Sequence, residues 1–92
     1  MSPDRVTVRL PRMLADLTGS GLHVEVSGDT LGSVLDDLIR QRPALGLHLR
    51  DESGALRRHV LCFCNDGYTR TELDQPLKAG DTVTILHSVS GG

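Results

Sequence analysis

Val6, Val8 and Leu10 alternate with Arg5, Thr7 and Arg9, a period of two that predicts a strand with one buried face. Thr18-Gly19-Ser20-Gly21 is turn chemistry, and Leu22, Val24 and Val26 then alternate with His23 and Glu25 as a second strand. The two read as an antiparallel hairpin, with Pro11 to Leu17 making the connection longer than a tight turn. Leu31, Val34, Leu35, Leu38 and Ile39 recur at helical spacing and give one apolar stripe. Asp29 or Thr30 caps that helix by accepting from the unpaired amides of its first turn. Pro43 closes it, because the residue before a proline disfavours helical geometry.

Leu45, Leu47 and Leu49 alternate around Gly46 and His48, which reads as a short irregular segment over one end of the core. Asp51-Glu52-Ser53-Gly54 reads as an exposed turn. Val60 to Cys64 is an unbroken apolar run, a strand whose inward side the period alone does not decide. Asn65-Asp66-Gly67 ends it with residues that tolerate positive φ. Leu77 to Asp81 forms another turn, and Val83 and Ile85 alternate with Thr82 and Thr84 in a last strand. Hairpin, helix, then strands predicts an α+β domain, a mixed sheet with one main helix across one face.

Composition adds mainly exclusions. The chain has 92 residues, 38% hydrophobic and 24% charged, enough for one modest core. A net charge of −2 and two aromatic residues, Phe63 and Tyr68, argue against a nucleic-acid binder. Arg57-Arg58-His59 reads as a solvated strand entry. No apolar run approaches the ~20 residues needed to span a bilayer, and the amino terminus lacks the apolar core of a signal peptide. A cytoplasmic protein without membrane partners is the expectation.

Most side-chain clusters read as structural. Cys62-Phe63-Cys64 puts two thiols on one side of a strand, without the C-x-x-C spacing or second pair of a four-ligand metal site. The histidines, at 23, 48, 59 and 87, form no motif. Asp36 and Asp37 are adjacent only in sequence, point apart on a helix, and read as solvated. The chain end is more informative. Gly91-Gly92 follows closely on the last strand, and a pair of residues without Cβ can pass a channel too narrow for others. The terminal carboxylate would there be open to activation by a second protein.

The hairpin, Gly28-Asp29-Thr30-Leu31 at the helix entry, the Val60 to Asp66 strand and turn, Ala79 to Leu86, and terminal Gly91-Gly92 together resemble the ubiquitin-like sulfur carriers of the ThiS/MoaD group, most of all CysO-type carriers. The resemblance covers nearly the whole chain. It implies a ubiquitin-like β-grasp over residues 1–86, with parallel, adjacent first and last strands, and a flexible diglycine tail over 87–92. It further implies that an E1-like enzyme uses ATP to adenylate the Gly92 carboxylate and that sulfur then replaces AMP, leaving a thiocarboxylate. The carrier itself would be no enzyme and hold no cofactor or metal. Gly91, Ser90, Val89 and Ser88 would thread into the partner. The stretch from His87 to Gly92 reaches about 20 Å when extended.

In the family's register Val60, Cys62 and Cys64 face the helix, where free cysteine behaves as a small hydrophobe. Leu61 and Phe63 then face outward beside Arg5, Arg9 and Leu86, a partly apolar open face suited to docking the activating enzyme. Downstream, the resemblance implies a sulfur-accepting synthase, of cysteine-synthase or natural-product type, and a metalloprotease-type processing enzyme. Ser27 to Gly32 and Thr84-Ile85-Leu86 favour the cysteine type over the molybdopterin and thiamine types. Ser88-Val89-Ser90 departs from the more apolar residues usual before the diglycine. A modifier conjugated to lysine, or an interaction module with an idle tail, are the alternative functions.

Overall fold

Four strands form one mixed sheet in the order β2-β1-β4-β3. They are β1 (Arg5–Arg9), β2 (His23–Ser27), β3 (Val60–Cys64) and β4 (Thr82–His87). The computed structural model describes residues 5–19, 21–65, 67 and 71–87. β1 pairs antiparallel with β2, and β3 antiparallel with β4. The central pair, β1 and β4, is parallel, with Val8 opposite Val83. This is the β-grasp arrangement: first and last strands lie side by side in the middle. The alternation predicted for the strands holds, since Val6, Val8, Val24, Val26, Val60, Cys62, Val83 and Ile85 are all buried.

Helix α2 (Leu31–Gln41) covers that inner face with Leu31, Val34, Leu35 and Leu38. Thr30, not Asp29, is its cap. The Thr30 hydroxyl accepts from the Ser33 amide at 3.1 Å, and the Ser33 hydroxyl accepts from the Thr30 amide at 3.0 Å, a reciprocal capping box. The loop before β4 satisfies two further amides of the first turn, as Leu31 N–H donates to Gln75 O and Gly32 N–H to Leu73 O. Gly28 lies so close to this turn that a Cβ there would stand 2.7 Å from the Val34 nitrogen. The chain therefore needs glycine at that entry.

The β1–β2 connection is longer than a tight turn, as expected, and two local readings are corrected. The Pro11 to Leu17 connection contains a helix, α1 (Arg12–Thr18), which buries Leu14 and Ala15. Pro11 starts it and Gly19 ends it with φ 68°, so the proline-before, glycine-after asymmetry was present in the sequence. The leucines after Pro43, expected in a short irregular segment, are helical. A 3₁₀ turn (Pro43–Leu45) runs into α3 (Gly46–Leu49). Leu45 and Leu49, four apart, are buried, whereas Leu47 is 76% exposed.

Asp37 is also not a solvated carboxylate. Its side chain is only 13% exposed and accepts from Ser27 N–H at 2.9 Å and from Gln41 Nε2 at 3.1 Å, and it pairs with Arg40. The helix turns Asp37 toward the end of β2, while Asp36 stays outside and meets Arg50 at 2.7 Å. The Ser27 amide, followed by Arg40, holds the Asp37 carboxyl below its ordinary value.

Candidate docking face and tail root

Because side chains alternate across a strand, the buried set on each strand fixes what the opposite face carries. β1 presents Arg5, Thr7 and Arg9, β2 presents His23 and Glu25, β4 presents Thr82, Thr84 and Leu86, and β3 presents Leu61 and Phe63. The registers bring these into rows. His23 lies opposite Arg9, Arg9 opposite Thr84, and Thr84 opposite Phe63, so a single transverse row crosses all four strands. Leu61 lies opposite Leu86 in the adjacent row toward the end of β4. All five face residues expected from the sequence, Arg5, Arg9, Leu61, Phe63 and Leu86, therefore share one surface.

That surface has two halves of different chemistry. On β3 and β4, Leu86 is 46% exposed, and Leu61 and Phe63 are partly exposed beside it. Toward β1 and β2, a shallow groove runs from the end of β3 and the start of β4 and is lined, among the described residues, by Thr7, Arg9, His23, Asn65 and Thr82. Arg5 reaches Glu25 at 3.5 Å. The Arg9 side chain makes no hydrogen bond or ion pair among the described residues. Asn65, at φ 55°, anchors the groove's edge: its backbone N–H donates to Thr82 O, and its side-chain oxygen accepts from Thr82 N–H at 2.9 Å.

β4 extends to His87, which pairs with Val60. The His87 ring meets His59 edge-on, with centroids 5.7 Å apart. The histidines are thus less scattered than the sequence implies; strand pairing joins two residues 28 positions apart, and no motif announces it. His87 Nδ1 is buried and has no hydrogen-bond partner among the described residues. Ser88, Val89, Ser90, Gly91 and Gly92, the expected threading and activation residues, lie outside the described residues.

Cys62 is fully buried and Cys64 half-buried against the same core. Burial, and then the Asp81 carboxylate, push the Cys64 thiol above its ordinary value. It is a poor nucleophile at neutral pH. Among the described residues no cluster of three metal-ligating side chains occurs, and no helix is long and apolar enough to cross a membrane.

The chain is similar to known proteins over nearly its full length. Sulfur carrier protein CysO of Mycobacterium tuberculosis is 41% identical over 91 residues, spanning 95% of this chain and 98% of that one. The crystal structure of SAMP1 from Haloferax volcanii matches with a TM-score of 0.84 at 31% identity, covering 96% of this chain and 99% of that one. A chain of the Amycolatopsis orientalis BexX/CysO complex matches with a TM-score of 0.81 at 33% identity, covering 95% of this chain and 99% of that one. The ThiS family model matches residues 8–92. From strand order to sequence, the chain belongs to the ThiS family.

Proposed function

We propose that this protein is a sulfur carrier whose Gly92 carboxylate is adenylated by an E1-like enzyme and then converted to a thiocarboxylate that donates sulfide in the biosynthesis of cysteine or another sulfur-containing metabolite. The observation that carries the reading is the placement of β4. The strand leading to the diglycine is central in the sheet and ends beside Leu61 and Leu86, so a partner seated on the open face would also meet the chain end. The 41% identity to CysO supports the same reading.

A carboxylate is a poor acyl donor. In the proposed reaction a Gly92 carboxylate oxygen attacks the α-phosphorus of ATP, releasing pyrophosphate and forming an acyl-adenylate. Sulfur from a sulfide donor then attacks the carbonyl and AMP leaves with the electron pair of the broken C–O bond. The activating enzyme supplies the ATP site and the acid, base and metal chemistry. This chain supplies the face built from Arg5, Arg9, Leu61, Phe63 and Leu86, and an arm, Ser88 to Gly92, that threads into the partner. The downstream partners would be a synthase that accepts the sulfur and a metalloprotease-type enzyme that processes the product.

The test is reconstitution with ATP, the adenylating enzyme and a sulfide source, followed by intact-protein mass spectrometry. Exchange of one terminal oxygen for sulfur is expected in the full chain and in no variant lacking Gly92. The likeness to SAMP1 favours a second reading, a modifier joined to lysine amines. Higher-mass conjugates on target lysines, in place of the thiocarboxylate, would establish it.

A further inference from the structure

We infer that the open face docks its activating enzyme at two chemically different points, with Arg9 and His23 receiving a carboxylate side chain and Phe63, Leu61 and Leu86 receiving an apolar one. The inference rests on the proposed function for the partner's identity, and adds which chemistry that partner must present. Arg9 and Phe63 occupy the same transverse row with Thr84 between them. Neighbouring strands lie about 4.8 Å apart, so the two anchors are set about 10 Å apart at the backbone.

Charge decides between the two arginines. Arg5 already has Glu25 as its counter-ion, and a partner carboxylate there would meet like charge. Glu25 stands diagonal to Arg9 as well, but it is Arg5 that it pairs with, and Arg9 has no carboxylate partner among the described residues. Among the described residues its groove is lined otherwise by Thr7, His23, Asn65 and Thr82, none of them acidic. Threonine hydroxyls donate, an imidazole carries an N–H in either protonation state, and guanidinium matches the planar fork of a carboxylate. Asn65 is less available, since its amide is committed to Thr82 and Asp81. The apolar half contains the chain's single phenylalanine, partly exposed, and interface anchors are commonly aromatic. The two halves would act differently: charge speeds and orients encounter, whereas apolar burial slows departure.

The experiment measures association and dissociation rates of the full chain with its adenylating enzyme at low and physiological salt, for wild type, Arg9→Gln, Arg9→Lys, Arg5→Gln, Phe63→Ala and Arg42→Gln. Arg42 lies beyond α2 in the helical layer and controls for net charge. Arg9→Gln should weaken binding about 5–30-fold, as expected for the loss of 1–2 kcal/mol, through slower association and a flatter salt dependence. Arg9→Lys should recover most of the salt dependence. Arg5→Gln should lose less than Arg9→Gln, and Phe63→Ala should mainly quicken dissociation. Thermal unfolding of each variant confirms that the exposed substitutions leave the fold intact.

Equal behaviour of Arg9→Gln and Arg42→Gln overturns the inference, as does an Arg5→Gln loss equal to that of Arg9→Gln. If wild type acquires the thiocarboxylate while Arg9→Gln binds unchanged, the two-point dock fails and the sulfur-carrier reading stands. If wild type neither binds the enzyme nor acquires sulfur, both fail.

Discussion

Thr30 and Ser33 exchange hydrogen bonds at the start of α2, and the cost of breaking that exchange is confined to one helix end. Thr30→Ala should destabilise the domain by about 1 kcal/mol, a fall of about 4–8 °C in melting temperature for a domain of this size. Asp37 gives a pH-dependent counterpart. Its folded pKa lies below the ordinary 3.8, so its contribution is complete above that value and is lost as pH falls through the folded pKa. Asp37→Asn should therefore be less stable than wild type at neutral pH, and the difference should shrink below about pH 4 in acid-unfolding curves. Cys62 and Cys64 present a different case, since one is buried and the other is held as a thiol by burial. A Cys62→Ala, Cys64→Ala variant should still acquire terminal sulfur, at a stability cost of up to a few kcal/mol. A folded variant that accepts AMP but never sulfur would make one cysteine a relay.

β1, β2, β4 and α2 are plain in the sequence because each obeys a single period with one buried face, whereas β3 is an unbroken apolar run that shows a strand but not its inward side. The smaller helices are less so. In α1 only Leu14 and Ala15 are buried, with Met13 and Leu17 about half exposed, so its apolar residues do not mark one face. In the segment after Pro43, three leucines at even spacing fit a strand as well as a helix until the chain's path is known. Exposure separates them now: Leu49→Ala should cost about 2–5 kcal/mol in denaturant unfolding, whereas Leu47→Ala should stay within about 0.5 kcal/mol. Comparable losses at the two positions would restore the alternating arrangement. Asp37 escaped recognition for a related reason. Adjacent helix residues diverge, but only the placement of β2 beside α2 determines which one of a pair meets a backbone amide.

Across the whole molecule, the outward direction of Leu61 and Phe63 follows from strand alternation once one buried residue is known. The pairing of Arg5 with Glu25 does not. Arg5 stands opposite Ser27, and Glu25 opposite Thr7, so the ion pair is diagonal and depends on the register set by the long α1 connection. The meeting of His59 with His87 depends likewise on β3–β4 pairing. At this scale the expected outcome of removing Gly91 and Gly92 is loss of ATP–pyrophosphate exchange with an unchanged unfolding transition, measured by circular dichroism. A coincident loss of cooperative unfolding would count against the division between folded body and reactive arm.

The central position of β4 also has a mechanical meaning. Sheet hydrogen bonds run across the strands, and β4 has one ladder with β1 and another with β3. Tension on the chain end along the strand axis is shared as shear by both ladders, where a terminal edge strand would peel from one. An enzyme that drew residues 88–92 into its active site, as proposed, would pull against the strongest direction of the sheet, a load under which the domain is expected to stay folded.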